Sequence, residues 1–485
     1  MTSPLSFAPP DRLLAKLAAA TVGQVHGPDD PRYAELAAGR NLALSTHPLA
    51  VLEAVSSADV VAAMQFAGRH RLQVAVKATG HGSTSADRDT LLVHTGRLDE
   101  LVIRADGTAR VGAGVRWCDV LSASAPLGLA GLAGSAPDVG VVGYLTGGGH
   151  GPLARTFGLS SDRVTAFDVV TGDGQQRRVT ASDNRGLFWA LRGGKGALGI
   201  VTTVEFTLLP LTEILGGCVY FDGADARSVL QSWRAWTQTL PDAATSSVAI
   251  LRLPDRAEVP QPLRCRTTVA LRYAWVGLPE AGHAAIAPML AIAPIIFGSI
   301  DTLPYEKIGS IHSDPVHPMP MAMMNTLLRE LPAEAVDVLL EAAGPDRPDC
   351  PQLLVELRHL GGALRHRPAN PDAFDHRDAA YSLFTVGIVA PGDNETVVQH
   401  AHQLKASMRP WTTGGRLPNF VTSTDPGDVA QMYTAETLSR LAALSATYDP
   451  DDSIAAAHTI RTLETDEPSS TVRASQQRGE PQWLS

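Results

Sequence analysis

Residues 128–151 read GLAGLAGSAPDVGVVGYLTGGGHG; they carry nine glycines, and Gly114 lies a short way upstream. A side chain at such positions would either clash with a close backbone neighbour or forbid a positive φ. The segment is therefore predicted to wrap a bulky ligand at backbone distance.

A second glycine turn lies upstream, in Lys77-Ala-Thr-Gly-His81-Gly-Ser83. It follows LQVAV, a short apolar run that is typical of a buried strand feeding a tight loop. Consecutive backbone N–H groups of such a loop can hold a phosphate, and His81 adds one imidazole. An isolated loop histidine usually has a surface or capping role, but the position of His81 ahead of a second glycine-dense loop favours a functional one.

Residues 194–199 (GKGALG) match the dinucleotide pattern GxGxxG. That pattern binds pyrophosphate only where it follows a strand and opens a helix. Here a helical segment, NRGLFWALRGG, precedes it and a β-branched strand follows. The inverted order argues against an NAD-binding Rossmann fold.

Composition excludes several classes of partner. The 485 residues carry a net charge of −10, which argues against binding to nucleic acid or a membrane surface. Four dispersed cysteines fit a reduced compartment, and the N-terminus lacks an apolar run of signal-peptide length, so a cytoplasmic protein is predicted. Small organic substrates remain, and the sequence does not indicate an oligomeric state.

The pattern of elements changes after Pro210. Before it, strand and helix signals alternate, including hairpin-like strands in residues 91–117 around an Asp106-Gly107 turn. Residues 212–410 carry five apolar strands interleaved with Ala-rich helices, which predicts an α+β domain with an antiparallel sheet and helices on one face. A helix is predicted from Tyr433 to Tyr448, and residues 463–485 form a polar, disordered tail.

The order KATGHGS, GVRW, GSAPDVGVVGYLTGGGHGPLARTFGLSSDRV and NRGLFWALRGGKGALGIVT resembles the berberine bridge enzyme-like branch of the vanillyl-alcohol oxidase superfamily. The agreement is dense over residues 45–210, with weaker echoes at 361–364, 375–381, 418–420 and 448–452. The resemblance implies a PCMH-type FAD-binding domain in two parts, residues 1–211 and 411–462. A substrate domain, residues 212–410, is inserted between them.

The resemblance also implies that His81 bonds covalently to FAD. Many members carry a second link from a cysteine, but Ala136 occupies that position here, so a single link is predicted. Lys77 stands where an arginine is usual, and it is a weaker bidentate partner. The other expected cofactor-binding residues are Ala78, Thr79, Gly80, Gly82, Ser83, Gly134, Ser135, Pro137, Val139, Gly140, Gly143, Thr146, Gly147, Gly148, Gly149, Gly151, Gly199, Ile200, Val201 and Asn419.

The implied activity is removal of hydride from a C–O or C–N carbon of a bulky, moderately apolar small molecule such as a secondary metabolite, with O₂ as acceptor. A carbohydrate oxidase is one alternative, and a flavin-bound, non-redox cyclase or binding protein is another.

The family's catalytic positions are altered, which leaves the base open. Leu417 replaces a tyrosine, and the strand that carries a glutamate in plant members offers Phe384 and Thr385. The candidate bases are Tyr381, His359 and His376. Each has an alternative role: Tyr381 in packing, His359 in the core and His376 in ordering a turn.

Four methionines, Met319, Met321, Met323 and Met324, follow His312 and His317. No carboxylate or cysteine completes a metal site at ligand spacing. Core packing is favoured, ahead of a flexible wall for a substrate pocket.

Overall fold

The structure is a computed structural model that describes residues 10–82, 85–389, 395–423 and 425–465. In this part of the chain no helix combines the length and hydropathy needed to cross a bilayer. The strands of the first 210 residues are β1 Gln24–His26, β2 Ala50–Glu53, β3 Gln73–Lys77, β4 Thr90–His94, β5 Leu101–Ile103, β6 Thr108–Gly112, β7 Leu129–Ala130, β8 Val164–Val170, β9 Gln176–Thr180, β10 Ile200–Thr207 and β11 Leu209–Pro210.

The first sheet has the order β1-β2-β4-β3, in which β2, β4 and β3 run parallel. A helix over Ser57–His70 provides the crossover from β2 to β3, and the Ser56 side chain caps it by accepting from the Asp59 amide. Strand β4 corrects the hairpin prediction for residues 91–117, because only β5 and β6 pair around the Asp106-Gly107 turn. The Leu91, Leu92 and Val93 side chains are buried, as expected of a central parallel strand.

The second sheet, β5-β6-β10-β8-β9, is antiparallel, and β7 pairs with β11 alongside it. Strands β8 and β9 form a hairpin within this sheet. The glycine-dense segment runs from β7 towards β8 and contains two short helices. The helices of this half are α1 Pro10–Ala18, α2 Tyr33–Ala37, α3 Ser57–His70, α4 Trp117–Ser124, α5 Val141–Thr146, α6 Ala154–Phe157 and α7 Arg185–Leu191.

A seven-stranded antiparallel sheet follows, with the order β15-β12-β14-β13-β17-β18-β16. The strands are β12 Glu213–Asp222, β13 Ala244–Leu253, β14 Arg266–Trp275, β15 Ile295–Pro304, β16 Met321–Leu328, β17 Gln352–His359 and β18 Tyr381–Ile388. One face packs on α8 Ala226–Thr237, α9 Pro279–Leu290, α10 Ala333–Ala343 and α11 Glu395–Ser407.

These sheets and helices confirm the α+β prediction. The edge strands β15 and β16 lie outside the five predicted strands, because β15 is largely exposed and the methionine-rich β16 lacks a clear alternation. Met324 is buried in the core beneath the helices, as the packing interpretation expects.

The C-terminal segment returns to the first half of the chain. Its helices are α12 Pro426–Ala430, α13 Ala435–Tyr448 and α14 Ala455–Thr465. Leu441 joins the core of the second sheet, and Ile454 joins that of the first. The predicted tail begins too early, since α14 continues to Thr465, and residues 466–485 lie outside the described residues. The other domain limits stay predictions.

Candidate active site

His81 lies in a tight loop that directly follows β3. Gly80 has φ +80°, and a Cβ there would lie 3.1 Å from the Gly39 Cα, so the turn requires glycine. The imidazole Nδ1 is 3.0 Å from Thr79 Oγ1, and Nε2 is 3.4 Å from Asp138 Oδ1. Burial lowers the pKa of His81 to about 4 and outweighs the opposing Asp138 carboxylate, so the imidazole is neutral near pH 7.

Two further segments converge beside this loop. The Gly140 amide donates to Thr79 Oγ1 at 3.2 Å, which joins the glycine-dense segment to the His81 loop. The Lys195 amide donates to the Thr146 carbonyl at 3.0 Å, which adds the 193–199 turn. A Cβ built on Gly143 or Gly196 meets no atom within 4 Å. We call the three glycines Gly82, Gly143 and Gly196, none of which is fully buried, the glycine cradle.

Other glycines of the segment serve protein packing instead. A Cβ on Gly149 would lie 2.9 Å from Ser160 Cβ, and one on Gly151 would collide with the Ala133 carbonyl. The Gly147 position is closed by Asn419, whose Nδ2 donates to the Tyr144 carbonyl at 2.8 Å. Glycine density alone therefore overstates the surface available to a ligand.

The remaining predicted cofactor residues have varied surroundings. Lys77 is buried and donates to the Ala38 carbonyl, and burial lowers its pKa to about 8. Ser135 donates to Asp314 at 2.6 Å. Ile200 and Val201 pack in the cores of the first and second sheets. Ser83 lies outside the described residues.

Lys195 is a cation that the site prediction omitted. Its Nζ donates to the Val421 carbonyl at 3.1 Å and lies 3.9 Å from a Cβ built on Gly82. Burial lowers the pKa of this amine to about 8. The cradle thus has a buried amine at its edge.

A cavity lies between the glycine-dense segment and the large sheet. We call the sheet face opposite α8–α11 the inner face. Cross-strand register places Arg272, Ser247 and Arg358 in one row across β14, β13 and β17 on that face. The other lining residues are His150, Gly151, Pro152, Thr245, Ser246, Tyr273, Ala274, Ile311, His312 and His359.

Glu356 lies next to this row and organises the two arginines. It accepts from Arg272 Nη1 at 2.6 Å, from Ser247 Oγ at 2.7 Å and from Arg358 Nε at 2.8 Å. Burial raises its pKa, but Arg358 and Arg272 outweigh burial and hold the pKa well below its usual range. The carboxylate therefore stays ionised and is a poor proton acceptor.

Two histidines at the cavity are neutral. Burial is the main cause that lowers the pKa of His150, to about 3, and it also lowers the pKa of His312 well below its ordinary value. Neither ring nitrogen of His150 has a hydrogen-bond partner among the described residues, and the side chain is 9% exposed. His150 follows Gly147–Gly149 directly, and that adjacency could have drawn attention to it.

Two of the three candidate bases, Tyr381 and His359, are in contact with each other. Tyr381 lies on the helix-covered face, where its ring packs on Trp233 and its hydroxyl accepts from Gln238 Nε2 at 2.6 Å. His359 stacks on Tyr381, and its Nε2 is 3.2 Å from Arg155 Nη1 at the end of the cavity. We do not carry Tyr381 forward as a base, because its surroundings match those of a core residue.

His376 is held at a turn. Its Nε2 donates to the Gln431 carbonyl at 3.0 Å. It borders a second cavity, together with Leu417 and His150. The two cavities thus have His150 in common.

Residues 48–180 match the family described as FAD binding domain. The chain therefore contains an FAD-binding domain. Two curated bacterial relatives are similar over most of its length. The (R)-6-hydroxynicotine oxidase of Paenarthrobacter nicotinovorans is 27% identical, over 89% of this flavoprotein and 94% of the relative. The FAD-linked oxidoreductase YgaK of Bacillus subtilis is 24% identical, over 89% and 95%.

The same architecture occurs in solved flavoproteins. The structure of Physcomitrella patens BBE-like 1 has a TM-score of 0.79 at 20% identity, covering 92% of this flavoprotein and 98% of that chain. The fold is therefore that of the berberine bridge enzyme-like proteins. The predicted fold class is confirmed, and the FAD-binding domain and the structural neighbours agree with the predicted resemblance.

The described residues fit the cofactor that this family binds. The open glycine cradle can take a flat group at backbone distance, and neutral His81 stands beside it. The glycine-dense segment contributes Gly143 to the cradle and His150 to the cavity. A cofactor in the cradle and a substrate in the cavity would thus share one loop.

Proposed function

We propose that the protein is an FAD-linked oxidase that removes hydride from a C–O or C–N carbon of a small molecule, with O₂ as electron acceptor. The observation that carries this proposal is the continuity of Gly143 at the cradle with His150 at a buried polar cavity. Bound FAD would supply the hydride acceptor and the reaction with O₂. The chain supplies binding, orientation and proton transfer.

We propose that His81 forms a single covalent bond to the cofactor. Its neutral imidazole has the free lone pair that such a bond needs. Ala136 offers no thiol. The Cys118 amide donates to the Pro137 carbonyl at 2.7 Å, but the Cys118 thiol faces Asp119, and burial raises its pKa. A protonated thiol is a poor nucleophile, which supports one link rather than two.

We propose that His150 accepts the proton of the substrate hydroxyl or amine. It combines a neutral imidazole, two unpartnered nitrogens and a place at the cavity. Burial and Arg358 lower the proton affinity of His150, and the Glu356 carboxylate offsets part of this loss and would stabilise the imidazolium that forms. His359 and His376 each hold a protein partner and are less available.

The covalent link is tested by acid precipitation of the purified yellow protein. We expect flavin to stay on the polypeptide, and His81→Ala to release all of it into the supernatant. His47→Ala, a change at an exposed histidine in the same half, is the matched control and should retain the flavin. A colourless precipitate from the parent protein would refute the link, and flavin retained by His81→Ala would indicate a second attachment.

The oxidase activity is tested on the same holoprotein. Flavin reduced by dithionite should reoxidise rapidly when air is admitted, with release of peroxide. Failure to reoxidise within minutes would favour a dehydrogenase or a non-redox use of FAD.

A further inference from the structure

The cavity contains an unusual balance of charge. Arg272 and Arg358 both pair with one carboxylate, Glu356, while the two histidines stay neutral. Asp314 also influences Arg272, but its carboxylate accepts from Ser135 and lies beyond ion-pair distance. A buried cation that lacks a full partner is costly, so the cavity favours an anionic occupant.

Arg358 has the geometry to bind that occupant. Only its Nε donates to a described residue, and Nη1 and Nη2 have no acceptor there. The side chain is 10% exposed and lines the cavity. A guanidinium with two adjacent free donors matches the two oxygens of a carboxylate.

An aromatic wall holds this guanidinium in place. The Arg358 Cζ lies 5.0 Å from the ring centroid of Phe420. Phe420 in turn packs edge-on against Phe384, at 5.0 Å, and against His150, at 6.4 Å. A flat ring bearing the carboxylate would therefore contact apolar surface next to the proposed proton acceptor.

We infer that the substrate is a small organic acid with a flat ring, whose carboxylate binds Nη1 and Nη2 of Arg358. This inference rests on the proposed function, which it narrows. Arg358 on the inner face of the sheet would therefore anchor a polar group of the substrate. The apolar strands alone predict an apolar substrate. A protonated amine in the same place would face Arg272 and Arg358, so the C–O carbon becomes the favoured site of oxidation over the C–N carbon.

The test is calorimetric binding to the holoprotein of three ring compounds of one size: benzoate, benzamide and benzylammonium. Benzoate should bind about tenfold or more tightly than benzamide, as for a charge-assisted pair of hydrogen bonds, and benzylammonium should bind weakest. Equal affinity for benzoate and benzamide would overturn the inference.

Variants assign the effect to Arg358. Arg358→Gln should lower benzoate affinity about tenfold and change benzamide affinity little. Arg358→Lys keeps the charge but lacks the paired N–H donors of the guanidinium. Its benzoate affinity should lie between those of the parent and Arg358→Gln. Arg266→Gln, on the exposed part of β14, is the matched control and should bind benzoate like the parent.

The outcomes separate this inference from the proposed function. If Arg358 served to balance charge on the cofactor, Arg358→Gln would lower the flavin reduction potential with unchanged benzoate binding, and the inference would be wrong. A holoprotein that reoxidises in air but does not prefer benzoate would refute only the organic-acid substrate. Preference for benzoate without reoxidation would refute only the oxidase.

Discussion

Arg272 Nη1 donates to Glu356 Oε1 at 2.6 Å, although β13 lies between the strands that carry them. The contact is made over Ser247 and Ala249, which are the small inner-face residues of β13 at that level. A buried carboxylate thus connects β14 to β17 across the floor of the cavity.

Removing this carboxylate should destabilise the fold. Glu356→Gln leaves two buried guanidiniums without their counter-ion, and we expect it to cost about 3 to 5 kcal/mol of unfolding free energy. Denaturant unfolding of the holoprotein measures the change. Asp337→Asn, at the exposed Arg227 pair, is the control and should cost less than about 1 kcal/mol. A loss as small as that control for Glu356→Gln would show that the network does not stabilise the fold.

The protein should lose stability in mild acid. Burial lowers the pKa of His94 to about 4 and that of His150 to about 3, whereas an unfolded histidine titrates near 6.5. Between these values the unfolded chain binds more protons, so the contribution of these histidines to stability is complete above pH 6.5 and is lost as the pH drops below it. Each such histidine contributes up to about 1.4 kcal/mol per pH unit.

Between pH 6.5 and 5 the histidines take up most of the protons that the unfolded chain binds, because unfolded carboxylates titrate lower. His150→Gln should make the pH dependence of the unfolding free energy shallower. The same slope in His150→Gln and the parent would contradict a neutral, buried His150.

Gly80→Ala should reduce flavin content. The added Cβ meets the Gly39 backbone at 3.1 Å while φ stays at +80°, so the His81 loop must move. Gly107→Ala has the same positive φ but open space around the Cβ, and it should cost only about 1 kcal/mol with full flavin content. The ratio of flavin to protein absorbance measures the difference. Equal flavin content in both variants would show that the loop tolerates the shift.

Tyr381→Phe should leave catalysis intact. It removes the hydroxyl that bonds to Thr237 and Gln238 and keeps the ring, so we expect about 1 kcal/mol of lost stability. His150→Gln should instead slow flavin reduction by about 10²-fold or more. Stopped-flow reduction by a substrate found in a screen of organic acids compares the two. The opposite ranking of rates would restore Tyr381 as the base.

Local patterns were sufficient to predict some features and not others. The β3 strand, its glycine turn and the His81 position follow from an apolar run that ends at glycine, and each is visible within ten residues of sequence. Glu356 and Arg272 lie 84 positions apart in sequence. Their contact depends on the register of β13 between them, which no local pattern encodes. The same dependence explains β4, whose apolar residues fit either a hairpin or a central parallel strand until its neighbours are known.

The C-terminal return has a consequence for the order of events in the cell. The Val74 amide donates to the Ser453 carbonyl at 2.6 Å, and the Tyr433 hydroxyl donates to the Gly193 carbonyl at 3.2 Å. The half of the protein that holds the cradle is therefore completed by residues that are synthesised after the large sheet. The hydrophobic surface of that half stays exposed, or is protected by chaperones, while the large sheet is synthesised. Loading of the cofactor is therefore a late event, because it depends on the return of the C-terminal segment to the first half of the chain.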